Sequence, residues 1–569
     1  MKKIKNLFVT FGLPFSFAVL LFLTFSCSDD DDGPKEDQKD DLEANLTTLV
    51  NGAALNAANG IAIGPDGNLY VASVTGQEIV VMDKSNGNII ERITEGVQSP
   101  DDLVFGPDGS LYWTDILTGE VGRRTPDGVV KKQPFLGGVN PIAFNDEGRL
   151  FIALDFQGDG FYEFDPELDA DPKPIIECPK GFCLGFFNAF DFGPDGLLYG
   201  PLFALGQVIK MNVDTGVYEI VADGFVNPAS AKFGPDGLLY VVDQTGDVFK
   251  IDITTGDKTL FTTIEPGLDN MVFDEDGSLY MTNNDEGWVA EILPSGEARI
   301  ISPGGMIIPQ GLAVMTGPNN EDMVFHADLF SVRQFNGLSG QQEDQFKGYL
   351  IPPPDVLSLA LSQNMSASGS DLIISSFFSS TVQVWNPENG VIADFADQVA
   401  APIDAVRLNS GEIIVSDIGL GGVINLSDNS LIQALEAASG LATDGVSVWA
   451  ADWATGIIYK IDFDGASPTS TVAATNLSFP EGLAVDNEGR LLVFETKGPS
   501  PSGVSRLSCI DFSTGTAVRT TIVDGLEPKV GGLPDFPPMW LFDGVDVGVN
   551  GDIYLTGGEA NVINKIELN

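Results

Sequence analysis

Twelve side chains stand just ahead of a short apolar run and recur roughly every forty residues. In the first half of the chain they are Asn59, Asp101, Asn140, Asn188, Ala229 and Asp269. In the second half they are Gln310, Leu357, Asp404, Ser439, Glu481 and Asp543. Most carry a carboxylate or a carboxamide. If the fold brings them to one point, they form a circle of oxygen donors. Such a circle suits a hard cation, calcium above all, with zinc as the other candidate. Carboxylates gathered this way also raise one another's pKa until a cation or a proton intervenes. The alternative is structural: short polar side chains at strand starts tie down backbone groups and hold water.

Other chemistry finds little support. The single histidine, His326, lies in the apolar stretch MVFHADLF and reads as a core residue, with no nucleophile elbow to make it a triad base. No phosphate loop or dinucleotide fingerprint occurs. The chain has 81 acidic against 29 basic residues, a formal net charge of −52. A phosphate backbone would be repelled, which excludes nucleic acid as a partner, whereas divalent cations would be attracted. Cys178 and Cys183 in IIECPKGFCLG predict a disulfide that pins a loop, because a zinc site would need further His or Cys ligands nearby. Cys509 is left over and is expected to be buried.

What could bring side chains so far apart in sequence together is a repeat. A turn followed by an apolar pair recurs as GPDGNLY, GPDGSLY, NDEGRLF, GPDGLLY, GPDGLLY and DEDGSLY, with turn glycines at 67, 109, 148, 196, 237 and 277. Weaker copies follow at Gly317, Gly369, Gly411, Gly445, Gly489 and Gly551. Each unit reads as an apolar strand such as GIAIG, a turn capped by Asp with Gly at positive φ, a second strand such as LYVAS, and a third and often a fourth strand. Four short strands in about forty residues with no helical period make one blade of a β-propeller. The one helix-like stretch is Asn429 to Ala438. The expected fold is therefore all-β: tandem β-propellers of twelve four-stranded blades, divided most economically into two six-bladed rings. One twelve-bladed ring, or seven blades plus five, are the alternatives. The boundaries fall at 46–304 and 305–569. The stretch LTTLVNG (46–52) reads as an orphan fourth strand, and it is expected to pair with the final strand, NVINKIELN.

Residues 1–27 are expected to be a signal peptide, with a basic start, an apolar run and Cys27, and they are set aside from the fold. LTFSCSDDDDG resembles a bacterial lipoprotein signal, which implies lipidation of Cys27. Residues 28–45 are acidic and nearly free of apolar side chains, so they are expected to form a solvated tether. An outer-membrane or cell-surface location follows, with membrane contact only through the lipid.

NGIAIGPDGNLYVAS and PEGLAVDNEGRLLVFET resemble the repeats of the senescence-marker/gluconolactonase family and the related NHL repeats. LYWTD with GEVGRR resembles the YWTD blades of lipoprotein-receptor propellers. The YWTD likeness implies that Asp115, Asp155, Asp243, Asn283, Asp417 and Asp452 fix loops by hydrogen bonding. The gluconolactonase likeness implies metal ligands at the mouth positions: Asp101, Asn140, Asn188 and Asp269 in the first ring, and Glu481 and Asp543 in the second, with Asp404 and Gln310 behind. Glu481 and Asp543 would then be the catalytic pair. Aromatic residues on the same face, Phe156, Phe187 and Phe203 in the first ring and Phe377, Phe378, Trp453 and Trp540 in the second, would wall a sugar-like ligand. The insertion 527–544 would add to that wall. Two functions are open: divalent-metal-dependent hydrolysis of a sugar lactone or related ester, or non-catalytic binding of a surface glycan or protein. A monomer is expected in either case.

Overall fold

The computed structural model describes residues 44–178, 181–308, 310–349, 357–496, 505–526, 542–557 and 561–568. The expected signal peptide with Cys27, the expected tether up to residue 43, and most of the 527–544 insertion including Trp540 lie outside the described residues.

The chain is all-β, with twelve four-stranded antiparallel sheets and, among the described residues, one 3-10 turn at Phe203–Leu205. It divides into two compact units. One is Gly52–Ile308; the other takes the chain up to Asn51 and Pro309–Asn569. Each is a six-bladed propeller. The division differs from 46–304 and 305–569 for a clear reason: Ala44–Asn51 pairs with Val562–Leu568, Leu46 opposite Ile566 and Thr48 opposite Asn564. The N-terminal strand thus completes the last blade of the second propeller. Ala44 and Asn45, counted with the tether by composition, already belong to that strand.

The turn motif does its expected work. In the first blade Asp66 Oδ1 accepts the Asn68 amide at 3.2 Å and Gly67 takes φ +80°. The seventh blade departs from the pattern. There Asn320 takes the left-handed conformation at φ +63°, and Gly317 is not in it. The stretch from 429 is not helical. Asn429 turns the chain at φ +58°, and Ser430–Ala434 runs as the outer strand that its blade requires.

The same motif also packs the ring. In four of the five LY pairs the Tyr meets, edge to face, a Phe that ends the first strand of the next blade: Tyr70–Phe105 at 4.9 Å, Tyr112–Phe144 at 5.0 Å, Tyr199–Phe233 at 5.0 Å and Tyr240–Phe273 at 4.9 Å. Both ends of the repeat therefore contribute to one interblade contact.

Ring closure is local to each unit. In the first, the Thr282 hydroxyl of the last blade donates to Asn59 O of the first at 2.5 Å, and the Ala53 amide donates to Met306 O at 2.7 Å. In the second, the Val314 amide of the first blade donates to Asp546 Oδ2 of the last at 2.7 Å.

Candidate carboxylate site at the mouth of the first propeller

The first strand of each blade lines the channel, so the residue leading into it sits at the channel mouth. The loop after the second strand lies on the same face, because the strands pair antiparallel with Pro100 opposite Asp115 and Val139 opposite Leu154.

Not every mouth residue is available. Asn59 is committed: its Nδ2 donates to Asn284 Oδ1 at 3.0 Å, and its Oδ1 accepts the Val74 amide at 3.2 Å. Asn188 Oδ1 accepts the Ala189 amide at 2.8 Å, so its oxygen serves the backbone. Ala229 offers no donor atom. Asp101 and Asp269 remain, half-buried, together with buried Asn140.

Asn140 Nδ2 donates at 3.1 Å to Asp155 Oδ2. Asp155 is the residue whose role the sequence misassigned. The corresponding residues of other blades accept the two amides ahead of the first strand. Asp115 takes those of Gln98 and Ser99, Asp243 those of Val226 and Asn227, Asp417 those of Ala400 and Ala401, and Asp452 those of Glu436 and Ala437. Asp155 takes neither. The Gly138 amide goes to Ile116 O instead, and the Asp155 Oδ1 atom is buried without a hydrogen-bond partner. A readable signal accompanies the change. Pro100, Pro228, Pro402 and Pro480 immediately precede the residue at the mouth, whereas Pro141 follows it.

Asp101, Asp155 and Asp269 act on one another. Burial, then the charge of the adjoining Asp102, pushes the Asp101 carboxyl up to about 7. Burial, then Asp101, with Asp269 and Asp159 behind, holds Asp155 well above the usual carboxylate range, opposed by the Asn140 hydrogen bond. Burial, then Asp101, Asp102 and Asp285, does the same to Asp269. Deeper in the channel, the Lys232 charge lowers both Asp102 and Asp191, against the upward push of burial. The mouth has no such neutralising partner among the charges acting on Asp101 and Asp269.

The second propeller uses its mouth differently. Glu481 Oε2 accepts the Asp543 amide and Oε1 accepts the Thr496 hydroxyl, both at 3.1 Å; Asp543 Oδ1 accepts from Thr556 Oγ1 at 3.4 Å. The structure thus brings the two together as a link between neighbouring blades. Asp404 is not at the mouth. It pairs with Ser416 as Asp102 pairs with Thr114, one residue deeper, and the mouth position is Ile403. Its carboxylate accepts the amides of Ala405 at 2.8 Å and Leu441 at 2.7 Å. Leu357 is exposed, and its blade begins at Asn364, so Gln363 takes the mouth place and accepts the Phe377 and Phe378 amides. Asp404 and Asp546 line a tunnel cavity of about 180 Å³.

Among the described residues, the one set of three His, Cys, Asp or Glu donors within 4.8 Å is Asp159, Cys178 and Cys183. Those two sulfurs are joined in the disulfide that the sequence predicted. Cys509 is buried and free, as expected.

No family model and no curated protein matches the chain. Solved structures do resemble it in fold. A gluconolactonase from Xanthomonas campestris is 16% identical and covers 43% of this chain and 88% of its own, with a TM-score of 0.34. Virginiamycin B lyase from Staphylococcus aureus is 14% identical over 58% of this chain and 96% of its own, with a TM-score of 0.22. A protein of unknown function from Bacteroides thetaiotaomicron is 13% identical over 45% and 74%, with a TM-score of 0.34.

Proposed function

We propose that the first propeller holds a divalent cation at its mouth, between Asp101, Asp155 and Asp269 with Asn140, and hydrolyses a lactone or related ester there. The observation that carries this reading is the buried Asp155 oxygen without a partner, on a carboxyl that the charges of Asp101 and Asp269 reach. An uncompensated carboxylate in a protein interior is costly, and a bound cation is the common compensation. The donors are all oxygens, which fits calcium; zinc prefers nitrogen and sulfur, and the site supplies neither. A bound cation would polarise the acyl carbonyl. A mouth carboxylate that the cation leaves uncoordinated would serve as the general base. It takes a proton from water as the water oxygen attacks the acyl carbon. The ring C–O bond then breaks and the departing oxygen receives a proton, so lactone plus water gives the hydroxy acid. Glu481 and Asp543 act in this reading as blade links. Lipidation of Cys27 and display at the cell surface belong to the same proposal, and mass spectrometry of the mature N-terminal peptide tests them.

A second reading is favoured by one observation: the three carboxylates are not drawn to within 4.8 Å of one another as a set. On that reading the mouth binds a glycan or protein partner and performs no chemistry. Hydrolysis of a lactone panel, with and without chelator, separates the two. Turnover that calcium restores and Asp101→Asn abolishes supports the hydrolase. Absence of turnover in a chain that binds calcium supports the binding protein.

A further inference from the structure

Directly after Asp155 comes Phe156, in a left-handed backbone conformation at φ +50° that non-glycine residues rarely adopt. Its ring stacks on Phe186, at 5.1 Å between centroids and 27° between planes, and meets Phe203 edge-on at 5.4 Å. Phe186 is itself left-handed, at φ +65°. Phe182 packs edge-on against Phe186 at 4.8 Å. Phe186 and Phe203 are buried, Phe156 is half-buried, and Phe182 is 43% exposed. Phe182 is the one phenylalanine among the described residues that is more than a third exposed.

This loop is held from two sides. The Cys178–Cys183 disulfide closes it next to Phe182. Asp159, four residues after Asp155, gathers the amides of Cys183, Leu184 and Gly185 on one oxygen at 2.6, 2.7 and 2.9 Å. Phe203 N–H and Ala204 N–H then donate to the carbonyls of Phe186 and Gly185 at 2.9 and 3.1 Å. Ordinary interblade packing needs none of this. Phe187, which the sequence placed in the same wall, is core: it packs on Phe161 and Phe190 and is fully buried.

We propose that Phe156, the residue after Asp155, and Phe182, joined to it through Phe186, form a rigid ledge that takes the flat apolar ring of the substrate. The inference rests on the reading of the mouth as a ligand site and sharpens its substrate class. Phenylalanine offers a face and an edge but no polar handle, so a ring rich in hydroxyls would lose hydrogen bonds to water there and gain none. An aryl-substituted lactone or ester fits the ledge and an unadorned sugar lactone does not. The two left-handed residues and the double anchoring keep the ledge in place before ligand arrives, which reduces the ordering cost of binding.

Binding can be read apart from turnover with a δ-lactam, which presents the same ring as a lactone but resists hydrolysis. Calorimetry on the full chain in calcium compares δ-valerolactam with its phenyl-substituted form. The expected result is at least tenfold tighter binding of the phenyl form, a preference that Phe182→Ala reduces about tenfold, consistent with one aromatic contact. Phe182→Tyr retains it. Phe182 is exposed, so the alanine variant should fold; Phe156→Ala is the second probe and should reduce the same preference. Equal binding of the two lactams, or a preference unchanged in both alanine variants, overturns the ledge. Failure of calcium to bind or of lactones to turn over bears on the proposed function and leaves this comparison readable.

Discussion

The two propellers are built from the same blade and differ in how they use their acidic residues. In the first, the channel is neutralised from within by Lys232, while the mouth gathers Asp101, Asp155 and Asp269 and leaves one buried oxygen without a partner. In the second, the mouth carboxylates Glu481 and Asp543 link adjacent blades, and the tunnel carboxylates Asp404 and Asp546 each accept two backbone amides. The first ring is composed of consecutive strands throughout, and the second borrows its last outer strand from the N-terminus. One scaffold thus holds acids in two ways: as links between blades in the second propeller, and around a buried oxygen without a partner in the first.

The largest expected effect breaks the comparison at its most physical point. Deleting residues up to Asn51 leaves Val562–Leu568 as an open edge and removes buried Val50. Calorimetry should show the transition of the second propeller falling by more than about 10 °C, with that of the first unchanged, since a loss of several kcal/mol shifts a domain of this size that far. A uniform shift of both would show that the strand has a wider role.

The next effect separates two aspartates at one blade position. Asp115→Ala orphans the Gln98 and Ser99 amides and the Trp113 indole N–H, which should cost about 2–4 kcal/mol in chemical denaturation and leave calcium binding intact. Asp155→Asn replaces a buried carboxyl whose ionised form only Asn140 supports, so stability should hold or rise while calcium binding is lost. If both variants behave alike, Asp155 is an ordinary loop fastener.

A smaller effect is a drift with pH. Burial pushes Asp404 up to about 7 and Asp546 up to about 6. Their folded values lie above the unfolded ones, so the stability they contribute is fully present below the unfolded value near 4 and is lost as pH rises through 6 to 7. The second propeller should therefore lose on the order of 1–3 kcal/mol between pH 4.5 and 7.5, and Asp404→Asn should flatten the slope. At the first mouth the sign for binding is opposite. Calcium competes with the protons on Asp101 and its neighbours, so its affinity should climb as pH rises through about 7.

Much of the fold was legible because the repeat carries its own packing. The Gly of each turn, the Tyr after it and the Phe before it lie in one short stretch, and they meet the matching residues one blade on. The orphan N-terminal strand was legible because the last unit lacked a fourth strand. The site was only partly so. Asp101, Asn140 and Asp269 stand at the mouth as the spacing implied. Asp155 was hidden because its neighbours in the motif are loop fasteners, and the local shift that frees it, Pro141 after Asn140 in place of a proline before it, is a one-blade event. Asp404 was misplaced by one residue: Pro402 sets the register as Pro100 does, which puts Ile403 at the mouth, and a one-residue slip moves a side chain from mouth to channel.

Calcium titration by calorimetry on the full chain, on Asp155→Asn and on Glu481→Ala with Asp543→Ala tests the central claim most directly. A buried oxygen made for a cation predicts one site in the wild type, at least tenfold weaker in Asp155→Asn and unchanged in the second-propeller pair. No binding below millimolar calcium, or binding that survives Asp155→Asn and is lost in the pair, would contradict it.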